Sequence, residues 1–174
     1  QEVVRILSEL MVKMGHEVTV ATTKLPNRTS TTHNGVKIGE FDISGNAVRG
    51  IQGEKKKYQN FLKKSGFDIV MNFAAQEWTA DLFFDVMDEV RSKKVFVPCG
   101  YSALYDPAYE DYFKKMPDVL RKYDATIYPS DDYQDINLAR RVGIPRNKMV
   151  IIPNGASEDE FLPESKIDIK KELG

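Results

Sequence analysis

Apolar positions along the chain alternate between two spacings. Val3, Leu7, Leu10 and Met14 recur three or four residues apart, the period of a helix with one buried stripe, and Gly15 supplies its stop. Residues 17–22 are a short β-branched run and predict a strand. The polar stretch 23–35 predicts a loop. Val36, Ile38, Phe41 and Ile43 alternate with one slip at Gly39-Glu40, which predicts a bulged strand over 36–43, and the three glycines of 44–53 predict another loop. Tyr58, Phe61 and Leu62 mark a helix over 54–65 ended by Gly66. The near-continuous apolar run 67–73 has the character of a parallel strand buried on both faces.

The second half repeats the alternation. Leu82, Phe83, Val86, Met87 and Val90 predict a helix. Strands follow at 94–97, 125–128 and 149–152, separated by a helix over 108–123, broken or kinked near Pro117, and one over 131–142 with Ser130 as its N-cap. Strict strand–helix alternation predicts an α/β fold: a Rossmann-like, doubly wound, mostly parallel sheet with helices on both faces. Such sheets receive ligands outside the carboxyl ends of their strands, so the residues after each strand are where function is sought. The chain opens in a helix and closes at 170–174 on a helical run. It reads as an excerpt, with one domain over 1–155 and a linker with the start of another domain over 156–174.

Composition narrows the function classes. The 174 residues carry 25 Lys+Arg and 26 Asp+Glu for a net charge of −1, which lacks the basic excess of a nucleic-acid binder. One cysteine, Cys99, excludes an internal disulfide framework, and two histidines, His16 and His33, leave little for metal chemistry, so no metal site is expected. No apolar run reaches the roughly 18 residues of a membrane span and no secretory signal opens the sequence, so a cytoplasmic setting is the default. The Lys55-Lys56-Lys57 and Lys63-Lys64 runs form a solvated helix face, or a surface for an anionic acceptor or peripheral membrane contact. The Asn27-Arg28-Thr29 sequon is a chance match without such a signal.

The most specific stretch is the strand ending in Pro153-Asn154-Gly155, followed by a small polar run and Phe161. With residues 124–130, the Gly143-Ile144-Pro145 turn and the opening 5–20, it resembles the N-terminal domain of GT-B glycosyltransferases of the family-4 type. The resemblance implies two Rossmann-like domains facing a cleft, of which this would be the acceptor-binding half, lacking the family's first strand and glycine-rich loop. It implies sugar transfer from a nucleotide-sugar to a sugar or glycan acceptor, of the hexosyltransferase type in carbohydrate biosynthesis, with retention of configuration. No cofactor or metal is implied, and no catalytic residue lies in this fragment, which alone would be inactive.

The resemblance has departures. Members commonly carry a His after the strand matching 95–97; here Cys99 stands there, a weaker hydrogen-bonding group. They also often carry His-x-His-like residues where this chain has Asn72 to Gln76, whose Asn72 and Gln76 amides can still bind sugar hydroxyls. The acceptor-site candidates are therefore Asn72, Gln76, Trp78, Cys99, Gly100, Tyr101 and Ser102, with Ser130, Asn154 and Gly155 at the cleft or hinge. Each has a plainer alternative. Cys99 suits a small buried residue, and Ser130 a helix cap that, facing the cleft, would offer its helix N-terminus to an anion. Asn154-Gly155 suits an ordinary turn, and Tyr101, Tyr105, Tyr109 and Tyr112 suit core packing. Trp78 is the stronger sugar-stacking candidate. Two other functions stay open: a stand-alone nucleotide- or ligand-binding module, weakened by the lack of a Gly-x-Gly-x-x-Gly or Walker loop, and a degenerate, non-catalytic glycosyltransferase-like scaffold.

Overall fold

β-branched and aromatic runs form nine strands, and amphipathic stretches form five α-helices around them, in a computed structural model that describes residues 2–155. The order is α1 (Glu2–Lys13), β1 (Thr19–Thr23), β2 (Thr32–His33), β3 (Val36–Phe41), β4 (Ile43–Asn46), β5 (Gly50–Gly53), α2 (Lys55–Lys64) and β6 (Ile69–Phe73). It continues with α3 (Trp78–Phe84), β7 (Lys93–Val97), α4 (Glu110–Lys122), β8 (Ala125–Tyr128), α5 (Gln134–Arg141) and β9 (Met149–Ile151). The linker expected over 156–174, with Phe161, lies outside the described residues.

Four parallel strands in the order β6-β7-β8-β9 form the largest sheet, flanked by helices, as the alternation predicts. Their register sets Asn72, Phe96, Thr126 and Met149 side by side, and all four are buried. The other parallel pair, β1 with β3, belongs to a second sheet that the short antiparallel β2 joins. One aromatic core serves both: Phe41 of β3 meets the Tyr58 ring at 5.1 Å, and Tyr58 meets Trp78 at 5.0 Å.

Several local expectations need correction. The strand expected over 36–43 has no bulge at Gly39-Glu40, whose register with Ala21 and Thr22 is unbroken; it divides at Asp42 instead. The loop expected over 44–53 is the antiparallel hairpin β4–β5. Two of its glycines stand where the backbones approach too closely for a side chain: a Cβ on Gly45 would lie 2.0 Å from the Gly50 carbonyl oxygen, and one on Gly53 1.9 Å from that of Asp42; Gly50 has open space but φ 89°. β6 buries Val70 and Asn72 on one face only, with Ile69 58% exposed. α3 begins at Trp78, and Val86, Met87 and Val90 fill the core from turns rather than from the helix. α4 runs unbroken through Pro117. α5 begins at Gln134 with Tyr133 as its N-cap, so Ser130 does not cap it; the Ser130 hydroxyl accepts from Asp132 N at 3.2 Å within the preceding loop. Among the described residues no helix is long and apolar enough to cross a membrane.

Candidate functional site

A parallel ladder ends where its strands stop, and the chain must then turn sharply toward the next helix. Among the described residues four non-glycine residues adopt positive φ, and three of them, Ala74 (61°), Gln76 (64°) and Cys99 (58°), stand just past the carboxyl ends of the neighbouring strands β6 and β7. A side chain in the left-handed region costs roughly 1–2 kcal/mol, so each must be held by its surroundings.

Two bonds tie these turns to each other. Ala74 N donates to Val97 O at 2.9 Å and Ala75 N to Pro98 O at 3.1 Å, extending the β6–β7 ladder into the loops. Ser102 Oγ then reaches Gln76 Oε1 at 3.4 Å across the same gap. Gln76 is half-buried while Cys99 and Ser102 are exposed, so a thiol, an amide and a hydroxyl share one rim.

Buried acids hold this rim from behind. Gln76 N donates to the Tyr112 hydroxyl at 3.0 Å, and that hydroxyl donates to Asp81 Oδ1 at 2.9 Å. The other Asp81 oxygen accepts from Ala47 N at 2.7 Å in the β4–β5 turn. Asn46 Nδ2 donates to both Gln76 O and the Tyr109 hydroxyl, at 3.2 and 3.0 Å. On the other side Gly100 N donates to Asp135 Oδ2 at 3.0 Å, and Gln134 Nε2 donates to Tyr101 O at 2.8 Å. Desolvation pushes the Asp81 carboxyl above its ordinary value, against the pull of Ala47 and Tyr112. Cys99 is exposed, yet desolvation by its loops, with the Asp135 charge adding to it, pushes the thiol up as well. Its sulfur lies 3.4 Å from Val97 O, turned back on its own strand end.

The other expected site residues lie elsewhere. Asn72 is buried, and its Oδ1 accepts from the Tyr123 hydroxyl at 2.9 Å, so this amide serves the core. Trp78 is 5% exposed; its ring meets Tyr58 edge-on and its Nε1 donates to Thr23 Oγ1 at 2.9 Å, leaving no face for a sugar. Truncating such a ring costs about 3–5 kcal/mol, which makes Trp78 a structural residue. Tyr101 is fully buried against Phe113 at 5.2 Å, and only its backbone shapes the turn. Gly100, at φ 73°, underlies the Tyr133 ring, to which a Cβ would come within 2.9 Å. Ser130 is half-buried after β8, and Asn154 and Gly155 are exposed after β9. No group of three His, Cys, Asp or Glu side chains placed to hold a metal occurs among the described residues.

Asn46, Asp81 and Asp135 carry no signal in the sequence that marks them as part of this rim, and Tyr112 is seen there only as one of four tyrosines suited to core packing. Asp81 and Asp135 stand in the first turns of α3 and α5, where an acid reads as a helix-dipole residue.

A family model described as Glycosyltransferase Family 4 matches residues 1–160. No curated protein matches the chain.

Proposed function

We infer the function from one premise: this chain belongs to glycosyltransferase family 4. We propose that it is the acceptor-binding half of a retaining glycosyltransferase, with the β6–β7 rim receiving a sugar or glycan hydroxyl. In this reading the acceptor oxygen bonds to the anomeric carbon of a nucleotide-sugar as the bond to the nucleoside diphosphate breaks. The hydroxyl proton leaves with the diphosphate, and no resident metal takes part. The donor is held by a domain beyond this chain, so the chain alone does not transfer sugar.

The observation that carries this reading is the gathering of Ala74, Gln76 and Cys99, all left-handed, at the ends of two adjacent strands. Backbone strain of this kind persists where a precise presentation of groups is maintained. Residues 74–76 and 98–102 include no charged side chain, so Gln76 and Ser102 offer a neutral amide and hydroxyl suited to a polyol rather than an ion.

The test is transfer from a panel of nucleotide-sugars by the intact protein, with Gln76→Ala alongside. The acceptor KM is expected to rise about tenfold, equivalent to roughly 1.4 kcal/mol for one hydrogen-bonding group, with the donor KM unchanged. A change confined to the donor KM, or transfer by the chain on its own, overturns the assignment. The sulfur of Cys99, turned toward Val97 O, favours one rival, a non-catalytic scaffold; absence of transfer by the intact protein with every donor selects it.

A further inference from the structure

Asp135 is fully buried and has no cationic partner among the described residues. An acid in the first turn of a helix ordinarily serves that helix, and Asp135 Oδ1 does so by accepting from Ile136 N at 2.9 Å. Its second oxygen does something different. It crosses to the turn after β7 and accepts Gly100 N, 35 positions away in sequence, at 3.0 Å.

We propose that Asp135 is a positioning residue: it clamps the Cys99–Gly100 turn to the start of α5 and so fixes the rim that faces the acceptor. The inference rests on the acceptor-site reading for its functional meaning, and on geometry alone for the clamp.

Two neighbours make the clamp a unit. Gln134 holds Tyr101 O, and the Tyr133 ring lies over the open face of Gly100. Three consecutive residues, the N-cap and the first two positions of α5, thus grip one turn at three points. The grip reaches further, because Pro98 O receives Ala75 N and Ser102 Oγ reaches Gln76 Oε1. A turn released from Asp135 loosens both left-handed corners. A carboxylate suits the site because the two backbone N–H groups are met by its two different oxygens. An asparagine in the same pose sets its NH2 against one of the two N–H donors, so it keeps the Gly100 bond at the expense of the Ile136 bond.

Cys99 is the chain's single cysteine, so the turn carries its own reporter. The experiment measures iodoacetamide alkylation of Cys99 against pH in the wild type, Asp135→Asn and Asp135→Ala, with a thermal melt of each. Asp135→Asn removes the charge while one acceptor stays; its alkylation profile is expected to move to lower pH from loss of the charge alone, which makes it the control for that effect. Asp135→Ala leaves Gly100 N–H without its acceptor; alkylation is expected to accelerate across the whole pH range. A residue that merely stabilises α5 would lower the melting temperature and leave the high-pH plateau, where the thiol is fully ionised, the same in Asp135→Ala as in Asp135→Asn, and that result overturns the clamp. If Asp135→Ala does not fold, Asp135→Leu, which fills the volume and likewise accepts no hydrogen bond, takes its place: a faster plateau of alkylation at high pH than in Asp135→Asn supports the clamp and an equal plateau overturns it. In the intact protein the acceptor KM of the variant that accepts no hydrogen bond is then compared with wild type. A faster high-pH plateau in the acceptor-less variant with an unchanged acceptor KM keeps the clamp and discards the acceptor-site reading, so the two fail separately.

Discussion

Replacing Tyr112 by Phe deletes one oxygen atom and tests how the Gln76 corner is held. The ring stays where it packs, edge-on to Phe113 at 5.3 Å and to Tyr109 at 6.0 Å, so the hydroxyl is isolated as the variable. Two bonds are lost, the one received from Gln76 N at 3.0 Å and the one given to Asp81 at 2.9 Å. A hydrogen bond to a charged group contributes about 1.5–3 kcal/mol, and an orphaned backbone donor costs about 1–3 kcal/mol. Gln76 is half-buried, so water relieves part of the second term, and the expected loss is about 2–3 kcal/mol. For a chain of this length each kcal/mol lowers the midpoint by about 2–4 °C, giving a fall of roughly 4–12 °C in a thermal melt followed by circular dichroism. Amide hydrogen exchange supplies the local half of the assay, since the Gln76 amide should lose its protection while the strand amides of β7 keep theirs. A stability loss under about 0.5 kcal/mol, with Gln76 exchange unaltered, would show that this hydroxyl does not hold the corner.

Gly45→Ala should be among the most damaging small substitutions, because the new Cβ meets the Gly50 carbonyl oxygen at 2.0 Å and the backbone there is at φ 88°. The β4–β5 hairpin should open, and with it the Asn46 bond to Gln76 O, visible as lost exchange protection over 43–53; a variant with wild-type protection refutes the close approach. Asp81 gives a pH signature. Its folded pKa lies above the ordinary carboxylate value of 3.8 because of desolvation, so the folded state keeps the proton longer than the unfolded chain. Its contribution to stability is therefore greatest below that value, declines as pH rises through the interval up to the folded pKa, and is level above it. Asp81→Asn should remove this decline from a urea-stability profile across acid pH, and an identical slope in both proteins would contradict it.

Much of the frame was legible because its signals are local. The β-branched run Ala125-Thr126-Ile127-Tyr128 forms a strand with the predicted bounds, and Lys93–Val97 and Met149–Ile151 fall within a residue of theirs. The hairpin at 43–53 was hidden because its glycines signal a loop from sequence, whereas two of them are the condition for two backbones to pack together. The start of α3 was missed because Trp78 reads as a strand-end aromatic until its partners Phe41 and Tyr58, from two other elements, are seen. The strand-end rule did lead to Gln76, Cys99, Gly100 and Ser102, which the turns bring together. It could not separate them from Asn72 and Tyr101, whose side chains turn inward. Asp81 and Asp135 stayed invisible because their partners, Ala47 and Gly100, are 34 and 35 positions away. A buried acid has no local pattern of its own.

The left-handed backbone at Ala74, Gln76 and Cys99 bears on how this protein can be engineered. Glycine is the residue that tolerates those angles best, so selection for thermal robustness alone would pull these sites toward glycine. Each such exchange would erase a side chain or its fixed aim. A directed-evolution campaign that screens melting temperature alone would therefore strip these strand-end corners of the side chains that the backbone now holds in place.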